Sequence, residues 1–516
     1  MPSNENSRPA LKLVASSDCK PELVIDYANL PATALKLRDF LATSAKLFFR
    51  GVPVKISPQQ SGIPSVTPLS RHNVVIEAHE VCRPVTREAK GSVQPVTLPY
   101  AVVELYLALK GEWNLPPLVG VTTAPLLEGD GSIRVRDGYD DGRGLWCSNI
   151  PKLSLQERPN VDDAQAALFK LRHAFRTFPF ADAARKRENS ALEVVDLDQP
   201  PAYDECAFLT ALLTATCRPS LSLAPGFLVH APSISGAGTG KGMLVRAISA
   251  IAFGCPPKPF TAGENRNELE KRIAAALVTA EPILFLDNFN GRALKSELLA
   301  QAVTEDSVIV RRLGATCMVP LSSKVFVAVT GNGLTIAEDL ARRFVHCELN
   351  ARCENPEQRN FPPHFLEDIL GQRAELLTAA FTILRWGRQN AAELVRGRPL
   401  GSFEDWASWC RDPLLTLGAQ DPVERINAIK ASDPERLAIA EIFETWHAHH
   451  VDRPVAVVDL AEPVRKLLNP QGRSRQYLAS RVASLANTRV GGFELTQQKP
   501  VGRWGHATYA VVRTDE

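Results

Sequence analysis

The chain has 516 residues, which corresponds to about three or four domains at roughly 150 residues each. Hydrophobic residues make up 45% and charged residues 22%, values typical of folded protein and not of a disordered chain. The 59 lysines and arginines nearly balance the 57 aspartates and glutamates, so the formal charge is +2. This excludes a strongly basic protein that coats DNA, and any contact with nucleic acid must come from local clusters of charge.

The ten cysteines are scattered, and none forms a C-x-x-C pair, so a zinc ribbon has no local support. Such cysteines are typical of buried, reduced thiols. The N-terminus lacks the pattern of a signal peptide, and the apolar run IAAALVTAEPILFL is interrupted by Glu281 and Pro282. We therefore expect a cytoplasmic protein without membrane association.

The order of the sequence patterns along the chain predicts six segments. They are a polar, disordered tail (1–20), a small α+β domain (21–155), a connector (156–201), a parallel α/β core (202–355), a helical segment (356–430) and a C-terminal domain (431–516). In the α+β domain, helical patterns at 32–45 and 98–111 alternate with short apolar runs such as NVVIEA. A helix near 161–177 and a polar stretch at 180–200 form the connector.

Residues 226–254, GFLVHAPSISGAGTGKGMLVRAISAIAFG, carry the strongest local signal. An apolar strand leads into a glycine-rich loop and then a helix, the context in which backbone N–H groups and a helix N-terminus converge on a phosphate. The predicted nucleotide-binding residues are Ser235, Gly236, Ala237, Gly238, Thr239, Gly240, Lys241, Gly242 and Met243. Two positions depart from G-x-x-x-x-G-K-[ST]: Ser235 replaces the first glycine, and Gly242 replaces the hydroxyl residue that would hold Mg²⁺.

The apolar run PILFLDNFN ends in Asp287, a carboxylate that can hold Mg²⁺ at a strand end. Asn288 follows, at the position where many ATPases of the ASCE type have a glutamate that activates water. Because asparagine cannot accept a proton, the base must come from elsewhere, or the water is only oriented. Three acidic residues precede the strand, and Glu268 is the preferred candidate over Glu264 and Glu270, although each also fits a solvated helix face.

A third apolar run, KVFVAVTGN, ends at Asn332, which we expect to lie between the γ-phosphate and attacking water. Arg342 and Arg343 follow in DLARRFVHCEL. An arginine here can donate a bidentate fork to phosphate, in ring ATPases to the nucleotide of a neighbouring subunit. The alternative for either arginine is a surface ion pair with Glu338 or Asp339.

The motifs GAGTGKG, LFLDNFNG, VRRLGAT, VTGNGL, DLARRF and NPEQRNF, in this order, resemble the AAA+ helicase domains of primase–helicase proteins from phages, plasmids and integrative elements. These are related to superfamily 3 and virulence-associated-E-type ATPases. The resemblance is tight over about 225–360 and looser over about 95–150. It implies an AAA+ P-loop core with a parallel sheet flanked by helices, working with ATP and Mg²⁺ as a homo-oligomeric, usually hexameric, ring that translocates on single-stranded or forked DNA.

The resemblance implies that Lys241 is the phosphate lysine, Asp287 the magnesium carboxylate, Asn332 the sensor and Arg342 or Arg343 the trans-acting finger. The DNA-gripping element of the family is a hairpin between the last two of the three strands. Here that interval contains Arg311, Arg312 and Lys324, whose phosphate contacts would track a strand without reading its sequence. An ordinary edge hairpin with solvated charges remains the alternative.

The N-terminal domain gives little sign of primase chemistry, which needs an acidic cluster and two metal ions. Its nearest cluster, Asp137, Asp140 and Asp141, reads as a glycine-rich turn. We expect an assembly collar, or a module that binds a primase or another replication partner.

The C-terminal block predicts three helices and a β-hairpin, a winged-helix arrangement with 474–487 as recognition helix. The predicted DNA-binding residues of this domain are Arg475, Arg481, Lys499 and Arg503. Winged helices also mediate protein contacts, which stays the alternative.

The sequence thus predicts an ATP-dependent DNA helicase or replication-initiation ATPase of a mobile genetic element. Two alternatives remain open. One is an AAA+ ATPase that remodels or loads a protein partner without unwinding DNA, and the other is a nucleotide-gated DNA-binding initiator with little turnover.

Overall fold

The structure is a computed structural model that describes most of the chain. The described residues are 20–59, 62–88, 92–189, 192–233, 236–260, 266–290, 293–294, 296–311, 318–336, 340, 342–426, 434–498 and 507–514. They form two compact units, one within 1–336 and 345–421, the other within 337–344 and 422–516. The predicted polar tail lies outside the described residues except for its last position. No described helix has the length and apolar character needed to cross a membrane.

The N-terminal part of the first unit combines three helices with short strands. Its elements are β1 (Glu22–Val24), α1 (Leu30–Leu41), β2 (Leu47–Phe49), β3 (Pro53–Ser57), β4 (Ser65–Pro68), α2 (Arg71–Val81), β5 (Arg83–Arg87), β6 (Val93–Pro95), α3 (Tyr100–Leu107), β7 (Gly120–Thr122), β8 (Leu126–Leu127), β9 (Ile133–Arg134), β10 (Gly138–Asp140) and β11 (Leu145–Cys147). The strands pair as β1-β5-β6, β2-β3-β4, β10-β11-β7 and β8-β9.

The apolar run NVVIEA belongs to helix α2, which the sequence analysis did not predict. Ser70 caps this helix: its hydroxyl accepts the N–H of Asn73, and the Asn73 side chain accepts the N–H of Ser70. Val74 and Ala78, one turn apart, are both buried. The cap and this helical spacing override the β-propensity of a short valine-rich run.

The core of the first unit begins with α4 (Val161–Phe175) and continues to residue 421. The elements that follow are β12 (Arg185–Asn189), β13 (Leu192–Val195), α5 (Tyr203–Cys217), β14 (Gly226–Ala231), α6 (Lys241–Phe253), α7 (Arg266–Val278), β15 (Ile283–Leu286), β16 (Ala293–Leu294), α8 (Glu297–Thr304), β17 (Ser307–Arg311), β18 (Met318–Ser322), β19 (Phe326–Asn332), β20 (Thr335–Ile336), β21 (Phe344–Glu348), α9 (Phe365–Gly371), α10 (Arg373–Gln389), α11 (Glu404–Trp406) and α12 (Asp412–Thr416). The stretch expected to be a polar connector thus contains a hairpin, β12–β13.

A four-stranded sheet in the order β15-β19-β14-β21 organises this core. Strand β19 runs parallel to both β14 and β15. Residues 283–286 and 326–330 are buried on both faces, as the strands of a covered parallel sheet require. Phe260 adds a parallel bridge to Leu286 beyond the last strand of this order. The observed core is therefore a mixed α/β fold built on a parallel sheet.

The second unit contains three helices and an antiparallel sheet. Its elements are α13 (Pro434–His450), β22 (Val455–Ala456), α14 (Glu462–Leu468), α15 (Arg475–Ser484), β23 (Arg489–Val490), β24 (Phe493–Gln498) and β25 (Thr508–Arg513). The strands pair as β22-β25-β24-β23, so the short strand between the first two helices joins the C-terminal hairpin. Buried Phe443, Trp446, Val464 and Val482 form its core with Val511.

Arg50 links the N-terminal part of the first unit to the core. It follows β2, is 5% exposed, and its guanidinium donates to four backbone carbonyls. The acceptors are Leu277 O (2.8 Å), Leu118 O (3.1 Å), Val119 O (2.5 Å) and Ser322 O (3.2 Å). Burial lowers the pKa of Arg50 to about 10. The guanidinium stays charged at neutral pH, and its fork of donors holds three separate segments together.

We predict that Arg50→Met destabilises the first unit by about 3 kcal/mol, because it removes charge-assisted hydrogen bonds and leaves buried carbonyls unsatisfied. The measurement is the midpoint of urea unfolding followed by circular dichroism. Arg87→Met, which replaces an exposed arginine, is the matched control and should shift the free energy of unfolding by less than about 0.5 kcal/mol. Equal midpoints for the two variants would contradict the linking role of Arg50.

Candidate nucleotide-binding site

Three strands of the core sheet deliver polar residues to one edge. Strand β14 leads into the glycine-rich loop, β15 ends just before Asp287, and β19 ends at Asn332. Because β19 is parallel to both of the others, all three carboxyl ends lie at the same edge of the sheet. Ligands of open α/β sheets bind at such an edge. The structure thus brings together the three predicted strand-end groups.

Glycine is required in the loop by backbone conformation and by close contacts. Gly238 and Gly240 have φ values of 73° and 95°, in the left-handed region that favours glycine. A Cβ on Gly238 would lie 2.6 Å from the backbone nitrogen of Glu357, and one on Gly236 would lie 2.7 Å from Oδ1 of Asn332. The loop then enters the 13-residue helix α6, whose N-cap is Gly240. Ser235 lies outside the described residues.

Lys241 is the first residue of α6 and is 7% exposed. Its Nζ donates to Gly236 O at 2.6 Å and lies 3.2 Å from Thr239 Oγ1, while the Thr239 hydroxyl also donates to Gly236 O at 3.0 Å. Burial lowers the pKa of Lys241 to about 8, and the nearby Asp287 opposes this shift. The ammonium is therefore folded onto its own loop, next to the helix N-terminus where a phosphate would replace the carbonyl as its partner.

Thr330 on β19 fixes the segment that follows β15. Its buried hydroxyl donates to Asp287 Oδ1 at 2.6 Å and accepts the N–H of Asn288 at 3.1 Å. Asn288 has a φ of 58°, and its side chain is exposed. Asparagine tolerates this left-handed conformation better than most residues, which gives a structural reason for it at a position where many such ATPases have glutamate. The sequence analysis missed Thr330, although a threonine in an otherwise apolar buried strand was a visible signal.

Asn332 faces the glycine-rich loop. Its N–H donates to Asn290 Oδ1 at 2.7 Å. Its own Oδ1 is buried and has no hydrogen-bond partner among the described residues. Buried polar atoms are nearly always satisfied, and such an exception is expected where a ligand or water supplies the partner. Together with the approach of Oδ1 to Gly236, this orientation fits a polar ligand in the loop.

Arg246, which the sequence analysis did not single out, lies one turn after Gly242 on α6. Its Nη2 donates to Asp287 Oδ2 at 3.1 Å, and its guanidinium carbon lies 5.6 Å from the centre of the Phe285 ring. Both oxygens of Asp287 therefore have donors, one from Thr330 and one from Arg246. The four-residue spacing from Gly242 was the only available signal for Arg246.

The two candidate bases that the structure describes have other partners. Glu268 is exposed and pairs with Lys271 at 2.7 Å, an interaction that lowers the pKa of its carboxyl group. Glu270 accepts a hydrogen bond from Ser296, and Glu264 lies outside the described residues. The geometry of Glu268 is that of a solvated helix face.

Arg342 and Arg343 form a turn directly before β21, and the N–H of Arg343 donates to Leu340 O at 2.9 Å. Arg342 is exposed and Arg343 half-buried. Glu338 and Asp339, their predicted alternative partners, lie outside the described residues.

The segment predicted to form a hairpin contains the antiparallel strands β17 and β18, with Arg311 paired across from Met318. Arg311, Ile309 and Met318 are exposed, whereas Arg312 lies outside the described residues. Lys324 has a different use: its Nζ donates to Leu221 O at 2.8 Å and lies 3.5 Å from Asp306, and burial lowers its pKa. Lys324 therefore anchors the base of the hairpin inside the fold.

In the second unit, Arg475 begins α15 and is exposed, and Arg481 is half-buried on the same helix. Lys499 and Arg503 lie outside the described residues. In the N-terminal part, Asp140 is buried and pairs with Arg134 at 3.1 Å. Within the described ranges, no group of three or more histidine, cysteine, aspartate or glutamate residues could hold a metal ion.

No model of a protein family and no curated protein sequence matches this chain. Solved structures do resemble it. The C-terminal region of NrS-1 is 12% identical, with 89% of this chain and 97% of that chain covered and a TM-score of 0.35. The active helicase Cch of SCCmec type IV is 10% identical, with 90% and 91% covered and a TM-score of 0.33. The Aeropyrum pernix ORC1 protein in complex with DNA is 14% identical, with 62% and 91% covered and a TM-score of 0.18. At these scores the likenesses carry no argument about function, which must come from the site itself.

We predict that Thr330→Val lowers the free energy of unfolding by about 2 kcal/mol, because it removes a hydrogen bond to a carboxylate and leaves the Asn288 N–H without its acceptor. Hydrogen exchange, measured by mass spectrometry on a peptide spanning 283–290, should become faster. Thr330→Ser keeps the hydroxyl and is the matched control. Identical exchange in the valine variant and the wild type would show that the hydroxyl does not hold this segment.

Proposed function

We propose that the chain is an ATP-dependent DNA helicase or replication-initiation ATPase of a mobile genetic element, acting as a homo-oligomeric, hexameric ring on single-stranded or forked DNA. One observation carries the proposal: the glycine-rich loop with Lys241, the carboxylate of Asp287 and the unsatisfied Oδ1 of Asn332 meet at one edge of a parallel sheet. The Lys241 ammonium and the N–H groups of the loop match the phosphate oxygens of a nucleoside triphosphate, and Oδ1 of Asn332 can accept a hydrogen bond from a water molecule beside them.

The strand order supports an AAA+ assignment. In β15-β19-β14-β21, the strand that ends at Asn332 lies between the P-loop strand and the strand that leads to Asp287. A sensor side chain can then lie between the terminal phosphate and a water molecule. In the ring, Arg342 or Arg343, in the turn before β21, would reach the nucleotide of the neighbouring subunit and stabilise charge in the transition state.

Exposed positive charge supports the DNA assignment. Arg311 on the β17–β18 hairpin is the described candidate for gripping a strand by its phosphates. The second unit, with three helices and a sheet that ends in a hairpin, matches a winged helix in its order of elements. Its exposed Arg475 and neighbouring Arg481 would lie on the recognition helix α15. The N-terminal part would serve as the collar or as the surface for a primase partner.

Magnesium fits this site poorly as the structure has it. Gly242 supplies no hydroxyl, and both oxygens of Asp287 accept hydrogen bonds from protein donors. Asp287 would have to exchange the Arg246 guanidinium for a metal ion. The groups of this chain that would bind phosphate, orient water and balance charge are therefore Lys241, Asn332 and the arginines.

A second candidate is a nucleotide-gated DNA-binding initiator with little turnover. The observation that favours it is the position of the candidate bases. Asn288 cannot accept a proton and its side chain is exposed, while the Glu268 carboxylate is held in a surface ion pair. Such a protein would bind ATP and DNA and hydrolyse slowly.

We predict DNA-stimulated ATP hydrolysis and displacement of a labelled strand from forked DNA by the full chain, with both activities lost in Lys241→Ala. The loss follows because this lysine, the first residue of α6, is the cation whose ammonium contacts the described part of the loop. Hydrolysis is measured by phosphate release and displacement by gel or fluorescence. Lys36→Ala, at an exposed lysine of α1, is the control and should keep both activities.

Three results distinguish the candidates. Hydrolysis with displacement supports the helicase, and hydrolysis without displacement on forked and tailed substrates at any ionic strength favours a protein remodeller. Binding of ATP and DNA with negligible hydrolysis favours the initiator.

We further predict that ATP affinity falls about tenfold between pH 7 and pH 9. In the free protein the Lys241 ammonium loses its proton near pH 8, and bound phosphates favour the charged form, so binding above pH 8 requires uptake of a proton. Equilibrium binding across this range measures the effect. Lys241→Arg stays charged throughout, so its affinity, whatever its value at pH 7, should not decline. A parallel decline in both proteins would exclude Lys241 as the cause.

A further inference from the structure

The guanidinium of Arg246 lies in the space that a side chain at position 242, one turn earlier on α6, would take. A Cβ on Gly242 would lie 2.5 Å from Arg246 Nη1, far inside van der Waals contact. The same Cβ would lie 3.4 and 3.5 Å from the two carboxylate oxygens of Asp287. A serine or threonine at 242 would thus have pointed at Asp287, and the guanidinium now takes up that space. A side chain at position 242 would therefore require the Arg246 guanidinium to move.

The guanidinium is held by more than one contact. Its Nη2 hydrogen-bonds Asp287 Oδ2, and the ring of Phe285 lies under its carbon. Its side chain is 31% exposed, so part of the group remains accessible from solvent. Asp287 is held in turn by Thr330 on its other oxygen. This positions a permanent positive charge in the second turn of the helix that follows the phosphate loop.

Such a charge is suited to phosphate. A guanidinium has five N–H donors in a planar fork that matches two phosphate oxygens, and the bond to Asp287 uses one of them. The field of the α6 N-terminus favours an anion in the same region. Lys241, the first residue of α6, supplies a second cation. Lys241 and Arg246 together can balance the negative phosphate charge that a divalent ion would otherwise neutralise.

We propose that Arg246 is a built-in counter-charge for the β- and γ-phosphates of the nucleotide, standing beside Asp287 where a hydroxyl-held divalent cation would be, so that ATP binding needs no divalent metal. This inference rests on the proposed nucleotide site and specifies how that site balances charge. Arg246 acts here as a binding residue: it stabilises the bound ground state of the nucleotide.

The test is equilibrium binding of ATP to the full chain by titration calorimetry, once with EDTA and once with excess Mg²⁺. We expect the wild-type Kd to differ by less than about threefold between the two conditions. Arg246→Met should weaken binding in EDTA by about tenfold or more, since it removes a charge-assisted contact. Arg87→Met, at an exposed arginine far along the chain, should bind ATP as the wild type does in both conditions.

A double variant tests whether the Arg246 guanidinium takes the space of a hydroxyl at position 242. In Gly242→Ser combined with Arg246→Met, a hydroxyl occupies the space that the guanidinium leaves, and Asp287 loses one of its donors. We expect this protein to bind ATP about tenfold or more tightly with Mg²⁺ than in EDTA. Circular dichroism of each variant confirms that it is folded.

Wild-type binding that requires Mg²⁺, together with no effect of Arg246→Met in EDTA, would overturn the role of Arg246 while leaving the nucleotide site intact. Absence of ATP binding by the wild type in both conditions, unchanged in Lys241→Ala, would overturn the proposed function and this inference with it. The two failures are therefore distinguishable.

Discussion

The parallel pairing of β19 with two neighbours is the constraint on which the candidate site depends. Ala231 at the end of β14 pairs with Asn332 at the end of β19, and Leu286 at the end of β15 pairs with Val329, so Asp287 follows beside Thr330. The Thr330 hydroxyl then reaches Asp287 and the backbone of Asn288. With a different neighbour for either strand, the glycine-rich loop and the Asp287 carboxylate would lie at separate places along the sheet edge.

The sequence predicts those parts of the site that depend on residues adjacent in the chain. Lys241 follows a glycine-rich loop after an apolar strand, and Asp287 and Asn332 each end an apolar run. Local patterns of this kind specify a strand, its end and the residue there, because burial on both faces demands continuous apolar character. Parallel topology implies that the carboxyl ends of β14, β15 and β19 lie together, and the structure shows that they do.

The remainder depends on contacts between distant residues, which no local pattern records. Helix α2 forms because a cap at Ser70 outweighs the β-propensity of three neighbouring apolar residues. Arg50 bonds carbonyls of three segments far apart in the chain, and Lys324, a basic residue beside a predicted DNA hairpin, anchors the fold instead. Arg246 is identifiable only when the space at Gly242 and the orientation of Asp287 are known together.

These contacts also change what the near-neutral charge means. Arg50 and Arg218 are buried and bind backbone carbonyls. Positive charge held in this way adds little to the field outside the protein, because carbonyl dipoles compensate it locally. A count of basic residues therefore overstates the charge available to DNA. Under the proposed function, attraction to a nucleic-acid backbone would come from arginines that remain at the surface, and Arg311 and Arg475 are exposed candidates among the described residues.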